Sequence, residues 1–245
     1  MLDHITIRAA DRAASELFYD TVLRTIGVQQ SGRDDEYTVW AGQFSLAHAD
    51  DDHPVTRNLH IGFAAPSREH VDQFWRTGTE AGYRDDGAPG LRPEYSEEYY
   101  GAFLLDPDGN SAEAVHHDAT ARRGTIDHLW IGVADLAAAR RFYELAAPFS
   151  RFTLAAVRPE RVHFAGANGS FGLVDREPTQ NLHLAFEAND NATVDAFHEE
   201  LTAAGFADNG WPGERTYHPG YYGAFVLDPD GNNVEVVCHN RGATA

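Results

Sequence analysis

Residues of metal-ligand type recur in the same order in the two halves of this 245-residue chain. Two histidines and a glutamate form each set, which comprises His4, His60 and Glu113 in the first half and His128, His183 and Glu235 in the second. Two imidazoles and one carboxylate on one face form the facial triad of non-haem iron(II) oxygenases, which leaves coordination positions open. The sequence therefore predicts a divalent metal ion, with iron(II) or manganese(II) favoured and zinc or nickel as alternatives.

The competing interpretation is that these residues are structural. The chain has 13 histidines, and a strand histidine is commonly a half-buried, hydrogen-bonded residue. A duplication also copies structural residues as faithfully as ligands. If metal is bound, the simpler grouping lies within one copy, as His128, His183 and Glu235. A grouping across the copies, such as His4 with His183 and Glu235, is the alternative.

A tandem duplication explains the repeated residues. Residues 99–110 recur at 221–232 with one change, from Leu104 to Val226. The sequence Asn-Leu-His at 58–60 recurs at 181–183, and Asp-His at 3–4 recurs at 127–128. We therefore predict two domains, 1–120 and 125–245, joined near residues 118–124.

Each copy is itself expected to contain two similar units. A short strand is followed by an amphipathic helix, as shown by Phe18, Val22 and Ile26 at helical spacing, and then by further short strands. The order is typical of βαβββ. The predicted fold class is α+β, in which the two βαβββ units of each domain form a cupped, mostly antiparallel sheet with helices outside.

Composition excludes several kinds of function. The formal charge is −19, with 38 acidic residues against 19 basic ones, so nucleic acid is not an expected partner. The chain lacks lysine, which excludes Schiff-base chemistry and a P-loop. Its single cysteine cannot form an internal disulfide. No apolar run is long enough to span a membrane, and the N-terminus lacks signal-peptide features, so a cytoplasmic protein is expected.

The Asp-His and Leu-His strands, together with Asp-Pro-Asp-Gly-Asn-x-x-Glu, resemble the vicinal oxygen chelate superfamily. This superfamily includes glyoxalase I, the extradiol dioxygenases and the bleomycin-resistance proteins. The resemblance covers essentially the whole chain, and it places both histidine–glutamate sets at the metal-ligand positions of the superfamily. It implies a small-molecule substrate as partner and allows a homodimer. The lack of a long apolar run means that a membrane is not an expected partner.

The sequence departs from glyoxalase I at one ligand. That enzyme has a second carboxylate in the last strand of the first unit, where this chain has Leu46 and Leu173. His48 or Asp175, two residues further on, are possible substitutes. Loss of the carboxylate would remove a ligand and a catalytic base, so glyoxalase I activity is not expected.

The resemblance to extradiol dioxygenases is better in the second copy. His218 stands at the spacing of a dioxygenase histidine, whereas the first copy has Ser96 there. Phe225 replaces the tyrosine that touches substrate, and Tyr221 or Tyr222 nearby could supply its hydroxyl. We therefore predict His218 and Tyr222 as catalytic residues, although His218 could equally be a solvated loop residue.

The predicted function is a metal-dependent enzyme acting on a small organic substrate chelated through oxygens, with dioxygenase chemistry favoured over lyase or isomerase chemistry. The alternative is a metal-free protein of the bleomycin-resistance type, which binds a drug-like or aromatic ligand.

Overall fold

The computed structural model describes residues 2–117 and 124–240. Its helices are Arg12–Leu23 (α1), Arg68–Glu80 (α2), Leu136–Ser150 (α3) and Asn191–Ala203 (α4). Its strands are Leu2–Ala9 (β1), Gln30–Arg33 (β2), Tyr37–Trp40 (β3), Phe44–His48 (β4), Leu59–Ala64 (β5), Arg84–Leu91 (β6), Tyr100–Leu105 (β7), Ser111–His116 (β8), Ile126–Val133 (β9), Thr153–Arg158 (β10), Arg161–Gly166 (β11), Gly169–Asp175 (β12), His183–Glu187 (β13), Asp208–Glu214 (β14), Tyr222–Leu227 (β15) and Asn233–Cys238 (β16).

The described strands form two eight-stranded sheets. Sheet 1 has the order β14-β15-β16-β13-β1-β4-β3-β2, and sheet 2 has the order β10-β11-β12-β9-β5-β8-β7-β6. Most neighbouring strands are antiparallel, and only the pairs β1–β4, β13–β16, β9–β12 and β5–β8 are parallel. The predicted α+β class is confirmed. No helix among the described residues has the length and apolar character needed to cross a membrane.

Each sheet combines one βαβββ unit from each copy. Strand β1 pairs antiparallel with β13 of the second copy, and β5 pairs in the same way with β9. The expectation that the two units of one copy share a sheet is therefore wrong. The opening strands of the four units, β1, β5, β9 and β13, have similar buried faces. A hydrophobic pattern specifies which face of a strand is buried, but it does not specify which strand pairs with which. One chain supplies both halves of each sheet, so no second chain is needed to complete either.

Two connecting segments cross where the chain passes from one sheet to the other. Arg57 and Gln180 exchange backbone hydrogen bonds of 3.1 and 3.0 Å across this crossing. The buried Thr56 hydroxyl donates to the Asn181 carbonyl, and the buried Thr179 hydroxyl donates to the Asn58 carbonyl. These reciprocal contacts hold the exchanged arrangement in register.

The repeated asparagines provide the turn at this crossing. Asn58 and Asn181 have φ values of 60° and 57°, in the left-handed region that asparagine tolerates better than most residues. Their side-chain amides donate to the carbonyls of Pro178 and Val55, each at 3.0 Å. Thus the asparagine of each Asn-Leu-His repeat turns the chain into the strand that carries the histidine.

The helices cover the outer face of the sheets. Side chains such as Phe18, Phe74, Phe142 and Phe197 are fully buried between helix and sheet. Each helix starts at a capping side chain that accepts a backbone N–H, as Asp11 does from Ala14. The opposite, concave faces of the sheets therefore remain open.

We predict that replacing either crossing asparagine by alanine destabilises the fold. Asn58→Ala or Asn181→Ala would place an alanine in the left-handed region and remove one hydrogen bond, at a combined cost of roughly 1–3 kcal/mol. Chemical denaturation of the full chain measures this free energy of unfolding. Asn58→Gly is the matched control, because it removes the hydrogen bond without the steric cost, and it should recover part of the loss. Equal stability of the parent protein and the three variants would contradict the prediction.

Two candidate metal centres

The concave face of sheet 1 brings together His4, His183 and Glu235, which we call site 1. The Nε2 atoms of His4 and His183 are 3.1 Å apart. Glu235 Oε2 lies 3.1 Å from His183 Nε2 and 3.8 Å from His4 Nε2. The three side chains come from the adjacent central strands β1, β13 and β16, so a rigid part of the sheet holds them.

The concave face of sheet 2 brings together His60, Glu113 and His128, which we call site 2. The Nε2 atoms of the two histidines are 3.2 Å apart, and Glu113 Oε2 lies 3.0 and 3.2 Å from those of His60 and His128. The strands β5, β8 and β9 supply these residues in an arrangement equivalent to site 1.

The predicted ligands therefore meet in two groups, each of which draws on both copies. The within-copy grouping of His128, His183 and Glu235 is wrong, because His128 lies on sheet 2 and the other two lie on sheet 1. The alternative of His4 with His183 and Glu235 corresponds to site 1. The cause is the exchange of units described above.

A β-bulge explains how neighbouring residues in the chain face the same site. In β1 the register shifts between Leu2 and His4, and in β9 the equivalent shift leaves Asp127 unpaired next to His128. A bulge turns an extra side chain toward one face. As a result, His4 Nδ1–H donates to Asp3 Oδ1 at 2.7 Å, and His128 Nδ1–H donates to Asp127 Oδ1 at 3.0 Å.

These carboxylates determine where the ring protons lie. A carboxylate only accepts, so Nδ1 of His4 and of His128 carries a proton, and once the ring is neutral Nε2 presents its lone pair to the site. His60 is oriented in the same way, because its Nδ1–H donates to Ser111 Oγ, whose own hydrogen goes to Asp86. In site 2, two ring nitrogens and a carboxylate therefore converge on one point, where a proton or a metal ion can supply the balancing positive charge.

The spacing of these atoms suits a metal ion. Cis ligands about 2.1 Å from a divalent ion are roughly 3 Å from one another. The three ligand atoms of site 2 have this spacing, and in site 1 only His4 stands further from the carboxylate. The residues present therefore fit a divalent ion held by two imidazoles and one carboxylate.

Glycine and alanine account for this difference between the sites. Gly62 lies directly opposite His128, and a Cβ there would come within 2.3 Å of the imidazole Cε1. The residue opposite His4 is Ala185. Its methyl group takes space that the His128 ring uses in site 2, which is consistent with the wider separation of His4 from Glu235.

Burial and charge set the pKa values of site 2. Burial alone would raise the pKa of Glu113, but hydrogen bonds with His128 and His60 outweigh it and lower the pKa to about 2. Burial alone would lower the pKa of His128, yet Asp127 and Glu113 raise it to about 9. Burial lowers the pKa of His60. Without a metal ion, a proton on His128 thus supplies the balancing positive charge.

Each glutamate also accepts from a tyrosine. Tyr221 donates to Glu235 Oε1 at 2.7 Å, and Tyr99 donates to Glu113 Oε1 at 2.8 Å. Burial and the nearby carboxylate raise the pKa of both phenols, which therefore stay protonated. The glycine of the repeated Tyr-Tyr-Gly has a role here, since a Cβ at Gly223 would lie 2.5 Å from Glu235 Oε1.

The prediction that Tyr222 lies in the site is wrong. Alternate residues of β15 face opposite sides of the sheet, and Tyr222 faces outward, where its hydroxyl donates to Asp195 of α4. The hydroxyl in the site belongs to the preceding residue, Tyr221. The repeated Tyr-Tyr pair was the available signal, but it could not say which tyrosine faces inward.

His218 reaches site 1 indirectly. Its Nε2 lies 2.8 Å from His239 Nδ1, and His239 Nε2–H donates to Asp3 Oδ2 at 2.7 Å. A line of hydrogen bonds thus runs from His218 through His239 and Asp3 to His4. In site 2 the corresponding line from His128 runs through Asp127 to His117. The sequence analysis missed both aspartates, which the repeated Asp-His pair could have revealed.

Neither site has a carboxylate at the position of the second carboxylate ligand of glyoxalase I. Leu46 and Leu173 are fully buried under the helices rather than facing the triads. His48 is two residues after Leu46 and Asp175 is two residues after Leu173, so each lies on the same face of its strand as that leucine. Both therefore face away from the triads, and neither replaces the carboxylate. Among the described residues, the metal-ligand groups contain no fourth member.

The cavities beside the two triads differ in shape. Site 1 opens into one cavity of about 890 Å³. In site 2 the Trp130 ring separates two cavities of about 630 and 370 Å³. The ring lies flat against Gly172, where a Cβ would be 2.0 Å from the indole. The aligned residues of site 1 are the smaller Thr6 and Ser45, which leave the space open.

Paired βαβββ units with a His-His-Glu group on the concave face of each sheet define the class of this fold. The model of the Glyoxalase/Bleomycin resistance protein/Dioxygenase superfamily matches residues 1–114 and 125–236, and the chain belongs to this superfamily. It is similar to glyoxalase I from Zea mays, with 18% identity, a TM-score of 0.67 and coverage of 97% of this chain and 92% of that one. It is also similar to a putative dioxygenase from Bacillus subtilis, with 12% identity, a TM-score of 0.64 and coverage of 98% and 85%. No curated protein sequence matches.

We predict that Gly62→Ala weakens metal binding at site 2. The added methyl group displaces the His128 ring, and disturbing a metal ligand commonly costs tenfold or more in affinity. Titration with zinc in a Glu235→Ala background isolates this site. Ala185→Gly, tested in a Glu113→Ala background, is the reciprocal control and should leave zinc affinity at site 1 unchanged or tighter. Unchanged affinity in Gly62→Ala would show that His128 is not a ligand.

We also predict that metal binding at site 2 releases a proton. The pKa of His128 in the metal-free protein is about 9, so at about pH 7.5 the ring is protonated and must lose one proton to coordinate. The release should fall toward zero as the pH rises above this pKa. Calorimetry of the Glu235→Ala variant in buffers of different ionisation enthalpy counts the protons. Zinc binding at pH 7.5 with no proton release would contradict the assignment.

Proposed function

We propose that the protein is a divalent-metal-dependent enzyme that acts on a small organic substrate bound through two of its oxygens, with dioxygenase chemistry favoured. The observation that carries the proposal is the convergence of two imidazole Nε2 atoms and one buried glutamate in site 2, repeated in its essentials in site 1. Three protein ligands leave up to three further positions for substrate and oxygen. A metal-free binding protein has no need of such an arrangement.

A bound divalent ion would act as a Lewis acid toward the chelated oxygens and, as iron(II), would support oxygen chemistry. Iron(II) and manganese(II) are the proposed ions, with zinc and nickel as alternatives. The chain itself orients the ligands through Asp3 and Asp127. It also keeps a protonated phenol, Tyr221 or Tyr99, against the carboxylate of each triad.

We assign turnover to site 1. Its single cavity accommodates a larger substrate than either cavity of site 2. The half-buried His218 extends its hydrogen-bond line to one further histidine, whereas site 2 has Ser96 at that place in the sequence. We propose that His218 exchanges protons with solvent and, through His239 and Asp3, keeps His4 in its metal-binding tautomer. A cytoplasmic location is part of this proposal.

The lack of a second carboxylate separates this proposal from glyoxalase I chemistry. That chemistry needs a base near the substrate carbon, and the residue of β4 that faces site 1 is Ser45. Ring cleavage by oxygen needs no such carboxylate from the protein. Similarity in fold to the maize enzyme therefore does not extend to its activity.

We predict that Glu235→Ala reduces turnover more than Glu113→Ala does. Each change removes the only anionic ligand of its triad and should lower metal affinity there by more than tenfold. Only Glu235→Ala disables site 1, which has the single large cavity and the hydrogen bonds that lead to His218. The measurements are oxygen uptake with a panel of catechols and 2-oxo compounds, together with elemental analysis of the metal bound to protein that was purified without chelator.

The two variants act as controls for each other, because both remove one buried carboxylate from equivalent strands. Equal losses of activity would contradict the assignment to site 1. Parent protein that takes up no metal, even after iron(II) or manganese(II) is added, would reject the metal-dependent function. Ligand binding that persists in such metal-free protein would favour the bleomycin-resistance type of function.

A further inference from the structure

Each triad has an arginine close to it, but the two arginines come from positions that do not correspond in the duplication. Arg8 lies on β1 and lines the cavity of site 1, and Arg176 follows β12 and lines a cavity of site 2. The residue that corresponds to Arg8 is Gly132, four residues after His128. The residue that corresponds to Arg176 is Ala49, directly after β4. An arginine lost at one position is therefore supplied from another.

The packing around Gly132 shows how this substitution works. A Cβ at Gly132 would lie 2.2 Å from the Glu177 carbonyl oxygen, 3.0 Å from Arg176 Cγ and 3.2 Å from its Nε, so the missing side chain makes room for the segment that carries Arg176. The Arg176 guanidinium donates to the Trp130 carbonyl of β9 at 3.2 Å. In site 1 the donor and acceptor strands are exchanged: Arg8 lies on β1, and its guanidinium donates to the His48 carbonyl at the end of β4 at 2.9 Å.

Both guanidinium groups act on the triads. Burial is the main cause that lowers the pKa of His60, and the charge of Arg176 lowers it further. Burial and Arg8 have the same effects on the pKa of His183. Each arginine is thus close enough to influence one histidine of the triad beside it, and that histidine belongs to the other copy.

Neither arginine has an acidic partner. The chain has 38 acidic residues for 19 arginines, yet within residues 2–117 and 124–240 no ion pair within 4.0 Å involves Arg8 or Arg176. Each guanidinium donates to one backbone carbonyl, which leaves most of its donors available. In so acidic a protein, an unpaired arginine beside each triad indicates that the ligand provides the anion.

We propose that both sites bind organic anions, namely small molecules that carry two chelating oxygens and a carboxylate, with the carboxylate on Arg8 in site 1 and on Arg176 in site 2. This inference rests on the proposed function, because it assumes that the two oxygens face the metal. A monoanion suits the cavities better than a phosphate dianion. Among the described residues, Arg8 is the one arginine that lines the site 1 cavity, and in site 2 Arg176 is accompanied by Arg161, which lies over the Trp130 ring. Both cavities also contain acidic residues, namely Asp34 and Glu36 in site 1 and Glu160 and Glu177 in site 2.

The test compares 3,4-dihydroxybenzoate with its methyl ester. Both offer the same pair of oxygens, and only the acid offers a carboxylate. The ester group makes the catechol hydroxyls more acidic, so any bias in metal chelation favours the ester. Zinc avoids oxidation of the catechol. Calorimetric titrations use zinc-loaded Glu113→Ala protein to report on site 1 and zinc-loaded Glu235→Ala protein to report on site 2.

We expect the acid to bind roughly ten- to a hundredfold more tightly than the ester at each site, which is the range for a charge-assisted hydrogen bond. Arg8→Gln should abolish this preference at site 1, and Arg176→Gln should abolish it at site 2. Binding of the ester should change less than about threefold. Arg176→Lys keeps the charge and should keep part of the preference. Arg24→Gln, at an exposed arginine, is the control for net charge and should leave the preference intact.

The outcomes separate this inference from the proposed function. Equal binding of acid and ester to zinc-loaded protein overturns the inference and leaves the metal sites intact. A preference that survives Arg8→Gln and Arg176→Gln also overturns it. Zinc-loaded protein that binds neither compound shows that the ligand class is wrong. Protein that binds no zinc under any condition rejects the proposed function itself.

Discussion

The antiparallel pairing of opening strands from different copies is the contact on which both sites depend. The pair β1–β13 brings His4 beside His183, and the pair β5–β9 brings His60 beside His128. No copy contains a complete triad. Site 1 takes His4 from the first copy and its other two ligands from the second, and site 2 takes His128 from the second copy and its other two ligands from the first. The metal chemistry of this chain is therefore a property of its tertiary pairing. Disturbing the crossing at Asn58 and Asn181 would separate ligands that lie far from it in sequence.

The duplication preserved the ligands and changed what surrounds them. Trp130 divides the cavity of site 2, whereas the aligned Thr6 leaves site 1 open. Gly62 lets the His128 ring approach Glu113, whereas Ala185 keeps His4 further from Glu235. Changes of this kind alter substrate shape and metal affinity without altering the donor set. Two copies of one site can thus diverge in ligand while the fold that holds them stays the same.

The sequence was sufficient for the fold class, the duplication and the residue types of the candidate site, because strand alternation and the repeated motifs are local signals. It was not sufficient for the grouping of ligands, since similar buried faces on four opening strands leave their partners undetermined. The error at Tyr222 has a related cause, because a one-residue difference in register reverses the face of a strand residue. Asp3 and Asp127 were missed because only a bulge lets them face the same side as the adjacent histidines.

Charge connects the arginines to the rest of the site. A dication with one glutamate leaves a local charge of about +1 in a protein whose overall charge is −19. At physiological ionic strength the distant acidic surface is screened over about 8 Å, so an anion that enters a cavity responds mainly to the groups lining it. The acidic side chains in each cavity oppose its binding, and a cation beside the triad offsets them. That Arg8 and Arg176 reach equivalent places from different strands argues that this local charge, rather than a particular position in the repeat, is what both sites require.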